Sequence, residues 1–133
     1  MQWKLLLALS TLGLVSGFTA VFGWWGAMGP YPYAVGFMIG TFFLATKVKT
    51  KHALHGLVLG LLIGAVEALV GQLFVDTYLA NNLALAETYM WSFGLYFVLV
   101  GLISGVSYGA VLGLAGWVIG RVHGTRSVQI SAA

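Results

Sequence analysis

Three stretches of this chain, Leu5–Trp25, Ala53–Val75 and Met90–Gly120, contain no Asp, Lys or Arg, and Glu67 is the one acid inside them. Runs of that length dictate the solvent. A hydrocarbon core of about 30 Å is crossed by roughly 20 apolar residues in helical conformation. In lipid only helices and closed barrels satisfy their own backbone. A fourth run, Tyr33–Thr46, is shorter and reaches a spanning length only by borrowing Tyr31, Pro32 and the stem of Lys47. Proline is tolerated there, in a first helical turn. Composition closes the alternative of a soluble domain. The chain is 60% hydrophobic and only 7% charged, against about 25% charged residues in an ordinary soluble domain. The expected class is therefore all-α, a polytopic membrane protein. One domain covers residues 1–133, with four spans at about 4–25, 31–47, 53–75 and 89–121.

Charge placement orients the spans. With four crossings, Lys4, Lys47, Lys49, Lys51, Arg121 and Arg126 fall on one side, and Asp76 and Glu87 on the other. The positive-inside rule assigns the basic side to the cytoplasm, with both termini there. The last run is long enough for two helices joined near Ser104–Tyr108, but five crossings would carry Arg121 and Arg126 outside. One overlong helix is expected instead. Trp24, Trp25, Tyr31, Tyr33, Tyr78, Tyr89 and Trp91 gather at the outer boundary, and Trp3 and Trp117 mark the inner one, as aromatic belts do. The first run is read as a span rather than a cleaved leader, because cleavage after Ala20 would leave Phe18 at the −3 position, where a small residue is required. A membrane of the bacterial inner (cytoplasmic) type is the expected location.

The 19 glycines form ladders. Gly56, Gly60, Gly64 and Gly71 fall within about an 80° sector of the third span, at about 100° per residue. Gly94, Gly101, Gly105, Gly109, Gly113, Gly116 and Gly120 share a sector of about 120° on the fourth. Shorter ladders run through Ser10, Gly13, Gly17 and Ala20, and through Gly36 and Gly40. Lipid supplies no hydrophobic force between helices, so small residues that let backbones approach drive their packing. A tight antiparallel contact between the third and fourth spans is expected. A stripe left over would serve a second copy or another membrane subunit.

Glu67 lies about three residues beyond the middle of its span and projects toward the glycine face. A charge at that depth costs at least about 2.5–3.5 kcal/mol, so the neutral acid is the cheaper form. Such a group serves as a proton relay or cation ligand, or else as a buried acid bonded to a hydroxyl. Thr41, Ser104 and Tyr108 are the candidate partners at similar depth.

Other groups point to chemistry more weakly. His52 and His55 stand three residues apart beside Lys47, Lys49 and Lys51. Two imidazoles without a carboxylate make a poor metal site, and interfacial histidines among lysines more often meet anionic headgroups. His123 belongs to a basic tail. Asp76, Tyr78, Asn81, Asn82 and Glu87 make up the longest polar segment, expected to be an exposed outer loop. Asn81 and Asn82 are expected as N-caps for a helical extension through Leu83–Tyr89. With no cysteine, thiolate metal sites and cysteine nucleophiles are excluded. There is no phosphate-cradling glycine loop, no His-Glu-x-x-His, and no Ser/His/Asp set at one depth. No catalytic residue and no cofactor is indicated. A net charge of +3, placed at the ends of apolar runs, is a membrane signal and not a nucleic-acid footprint. The leading expectation is a protein that works by helix association, as a homo-oligomer or as an accessory subunit of a membrane complex. The alternative is a small channel or transporter for protons, cations or a small solute, with Glu67 as the relay.

Overall fold

The computed structural model describes residues 1–24, 31–83 and 93–131, and these residues are almost entirely helical. Helix α1 (Trp3–Ser10) and helix α2 (Leu12–Val21) follow each other across Thr11, whose φ of −61° and ψ of −18° stay right-handed. The break has a local cause. Ser10 Oγ and Thr11 Oγ1 donate to the Leu7 and Ala8 carbonyls at 2.8 and 2.7 Å, and such back-bonding bends helices. After α3 (Tyr31–Lys47) come α4 (His52–Leu73), the short α5 (Val75–Asn81) and α6 (Phe93–Ser131). Helix α6 runs unbroken through Ser104–Tyr108.

Three segments, Trp3–Val21, His52–Leu73 and Gly94–Val122, are long and apolar enough to cross a membrane. By length and composition, three of the four expected spans qualify among the described residues. With 17 residues, α3 reaches only about 26 Å at 1.5 Å per residue, because Tyr31 opens it and Lys47 closes it. The large apolar side chains on the outside of the bundle agree with a lipid environment. Met38, Phe42, Leu69, Leu95 and Ile103 are each about 60% exposed, and no soluble surface carries such a belt without a partner.

Helices α4 and α6 form the central antiparallel pair, α1 and α2 pack on α4, and α3 lies on α6. A Cβ placed on Gly109 would stand 2.6 Å from the Gly56 carbonyl oxygen, and one on Gly105 would stand 2.7 Å from that of Gly60. One on Gly101 would stand 2.6 Å from the Gly64 oxygen. The two ladders therefore face each other. The ladder of the first run is occupied as well, for Gly13 meets Ile63 and Gly17 meets Val70. On α3, Gly40 receives Leu112. At one end of the bundle Leu6, Leu9, Leu44, Val48, Leu59, Ile63 and Leu112 form a buried apolar core. Toward the other end Val21, Val70, Tyr78 and Phe97 form a second.

Polar contacts tie the two ends. At the first, Gln2 Nε2 donates to the Lys47 carbonyl at 2.6 Å, and the Gln2 backbone N–H donates to His55 Nε2 at 3.3 Å. At the second, Asn81 and Asn82 donate to the Val21 and Ala20 carbonyls, each at 3.1 Å. These asparagines were expected as N-caps. Asn81 closes α5 and Asn82 stands between it and helical Leu83, and the Ala20 carbonyl at the end of α2 also accepts from the Gly23 N–H. Trp25, Glu87, Tyr89, Trp91 and Ser92 and the side chains of His123 and Arg126 lie outside the described residues, as does residues 84–89 of the expected extension.

Candidate functional site

Glu67 leaves α4 on the turn between Ile63 and Val70, at the seam of the two apolar cores. It is partly buried, and its carboxyl Oε1 accepts a hydrogen bond from the Tyr33 hydroxyl of α3. The expected partners are not the observed one. Ser104 Oγ bonds back to the Gly101 carbonyl of its own helix at 3.4 Å. Tyr108 donates to the Tyr33 backbone carbonyl, also at 3.4 Å. Thr41 Oγ1 is buried with no partner among the described residues. Tyr108 nonetheless belongs to the site, because its ring stands edge-on to Tyr33, 6.2 Å between centroids, and sets the position of the donor.

Sequence reasoning placed Tyr33 at the outer boundary and so missed it as a partner. Tyr33 lies in the first turn of α3, and helical side chains lean toward the N-terminus of their helix, so nothing in the sequence signals that its hydroxyl meets Glu67.

On its other side Glu67 borders a cavity of about 50 Å³ with Gly17, Gly71, Tyr78, Tyr96 and Phe97. A water occupies about 30 Å³ of liquid, so this space holds one or two waters and nothing larger than a small ion. Its walls are made by absences. Gly17 and Gly71 lack the side chains that would fill it, and a Cβ on Gly71 would strike the Phe97 ring at 2.5 Å. Tyr78 stands edge-on to Phe97 at 5.0 Å and is 92% buried, the complement of its 8% exposure. The segment expected as an exposed loop thus supplies a buried aromatic to the site, while Asp76 stays exposed in the first turn of α5. From Glu67 toward the Lys47 end the interior is mainly the apolar core of Leu59, Ile63, Leu6, Leu44 and Leu112, with Ser10, Thr41 and His55 as buried polar side chains on that side. The arrangement is a carboxyl held by one hydroxyl donor, with a water-sized space toward Tyr78 and a mainly apolar core toward Lys47.

The histidines behave differently from a metal pair. His55 is buried, its Nε2 receives the Gln2 N–H, and its Nδ1 lies 3.0 Å from the Lys51 carbonyl. Those partners assign the proton to Nδ1 and occupy both ring nitrogens. His52 packs over Gly116 and Gly120 of α6. Among the described residues no three His, Cys, Asp or Glu gather into a metal-binding group.

Compared with protein-family models, curated proteins and solved structures, the chain matches none.

Proposed function

We propose that this chain is a small transporter or channel of a cytoplasmic membrane that moves protons, or a cation no larger than its water-sized cavity, with Glu67 as the internal station. Four crossings are part of the reading, α3 included, with both termini cytoplasmic. It involves no catalytic step. The observation that carries it is the placement of the only acid in the long helices. Glu67 is bonded to Tyr33 and borders a space for one or two waters. Ionisable groups within membrane spans face interiors or water-filled cavities and mark proton and ion paths. The 50 Å³ volume argues against a bulky solute. The mainly apolar core around Leu59 and Ile63 means that transfer requires a rearrangement or a second chain, since a carboxyl open to one side alone conducts nothing.

A second reading, helix association as a homo-oligomer or accessory subunit, loses the motive the glycine ladders supplied, because α4 and α6 use them on each other. It keeps one supporting feature. A groove of about 350 Å³ runs between α4 and α6 on the outer face, floored by Gly64, Ala65, Ala68 and Gly101 and ended by Gln72. Its small residues suit the close approach of another helix.

The test is flux in proteoliposomes. Glu67→Gln retains the acceptor for Tyr33 and cannot ionise, so proton or cation flux should fall to the protein-free background while the protein stays folded. Unchanged flux in Glu67→Gln, or no flux above background in either form, removes the transport reading. If the particle extracted in mild detergent then carries stoichiometric foreign polypeptides, association takes its place.

A further inference from the structure

We propose that the cleft between the Val48–Lys51 turn and the cytoplasmic portion of α6 is a binding site for the phosphate of an anionic phospholipid headgroup. Lys49, Lys51, His52, Trp117 and Arg121 line it together with Gly120, around a volume of about 270 Å³. That is several times the roughly 30 Å³ of a water. Three full positive charges therefore converge on one space from two separate elements. Lys49 and Lys51 meet no acidic side chain among the described residues, since Glu67 lies mid-helix and Asp76 beyond the far end of α4.

The site is built, not merely basic. Lys51 adopts a left-handed conformation, φ 57°, which is uncommon outside glycine and asparagine. The turn is held there by buried His55, which bonds the Lys51 carbonyl and so links the turn to the first turn of α4. His52 lies on the glycine strip of α6, and its Nε2 would be only 3.2 Å from a Cβ on Gly120. That nitrogen is buried with no hydrogen-bond partner among the described residues. Unsatisfied buried polar atoms are rare enough to need a cause. Nε2 has essentially no accessible surface, so a phosphate oxygen reaches it only if the ring turns toward the cleft that His52 helps to line. The Arg121 guanidinium lies 4.3 Å above the Trp117 ring, which fixes its plane.

The adjoining surface selects a lipid over a free phosphate. Trp117 is 41% exposed, and one turn further along α6 Leu114 is 60% exposed. A headgroup in the cleft therefore has its acyl chains laid along the apolar flank of α6. Basic pockets between helices on the cytoplasmic side recognise lipid phosphates in this way.

Native mass spectrometry of the full chain in detergent, titrated with phosphatidylglycerol and with phosphatidylcholine of matched chains, tests the site. Phosphatidylglycerol should bind more tightly. A contribution of about 1 kcal/mol per basic residue is about fivefold in affinity. Arg121→Gln should therefore weaken binding about fivefold, and Lys49→Gln with Lys51→Asn about 25-fold. Lys51→Asn keeps a residue suited to positive φ, so the turn survives. Arg121→Lys should retain most of the binding, and Lys4→Gln, which removes a charge outside the cleft, should change nothing. Equal binding of the two lipids overturns the proposal, and so does a loss in Lys4→Gln matching that in Arg121→Gln. Displacement of phosphatidylglycerol by comparable concentrations of inorganic phosphate overturns the lipid source and makes the cleft a soluble-phosphate site.

Discussion

At the scale of single residues, the Tyr33–Glu67 hydrogen bond determines what the interior can tolerate. A buried carboxyl deprived of its donor bears the desolvation cost of an unmade bond, about 1–3 kcal/mol. Tyr33→Phe keeps the ring that packs edge-on to Tyr108 and deletes only the hydroxyl. It should lower unfolding stability in detergent by about 1–3 kcal/mol. Glu67→Gln, which still offers an oxygen to Tyr33, should cost less than Tyr33→Phe. The reverse order in a denaturant titration would mean that Glu67 is held by something other than this hydroxyl. The direction of Glu67 was readable from its angle to the glycines on the same helix. Its partner was not, because Tyr33 sits on a different helix and periodicity within one helix carries no register between two. The same limit explains Asn81 and Asn82. An N-cap role accepts from backbone N–H groups, whereas the bonds observed are donations to the Val21 and Ala20 carbonyls, some sixty positions away in sequence.

Elements show the opposite balance. The central rungs of the ladders, Gly56, Gly60 and Gly64 on α4 against Gly101, Gly105, Gly109 and Gly113 on α6, were legible, because glycine at helical spacing is itself the requirement for close approach and needs no knowledge of the partner's register. The substitution Gly60→Ala puts a methyl carbon under 3.0 Å from the backbone of Gly105 and Gly109. Backbone atoms of a packed helix cannot step aside as a flexible side chain can. The bundle should lose about 1–3 kcal/mol or more, read as a lowered midpoint of thermal unfolding. Gly94→Ala is the internal control. The nearest atom to its new carbon is Gln72 Oε1 at 3.6 Å, an ordinary contact, and alanine in a helix is favoured over glycine by about 0.5–1 kcal/mol. Its midpoint should hold or rise. A loss in both would show that helix flexibility, and not clearance, is what the glycines provide. What the pattern did not reveal was whether a stripe remained free for another subunit, since spacing alone cannot say whether a ladder's partner is in the same chain.

For the whole molecule, the question is how helices of unequal length share one bilayer. Helix α6 has 39 residues, about 58 Å at 1.5 Å per residue, and α3 has 17, about 26 Å. A core near 30 Å forces α6 to tilt or to project, while α3 barely reaches across. The end contacts bear on the four crossings proposed above. If α3 did not cross, Gln2 and Lys47 would lie on opposite sides of the membrane, yet the Gln2 side chain donates to the Lys47 carbonyl at 2.6 Å. Likewise Asn81 and Asn82 could not reach the end of α2 unless α4 returned to the side that α2 faces. The chain contains no cysteine, so single cysteines report accessibility without background. Thr50 and Ala80 are exposed at opposite ends of the bundle. In intact cells a membrane-impermeant maleimide should label Ala80→Cys directly, and should label Gln2→Cys and Thr50→Cys only after permeabilisation. With three crossings Gln2→Cys and Thr50→Cys would label from opposite sides. That result would separate the basic turn from the N-terminus, break the Gln2–Lys47 contact, and leave the phosphate cleft in the wrong leaflet for the charge bias that defines it.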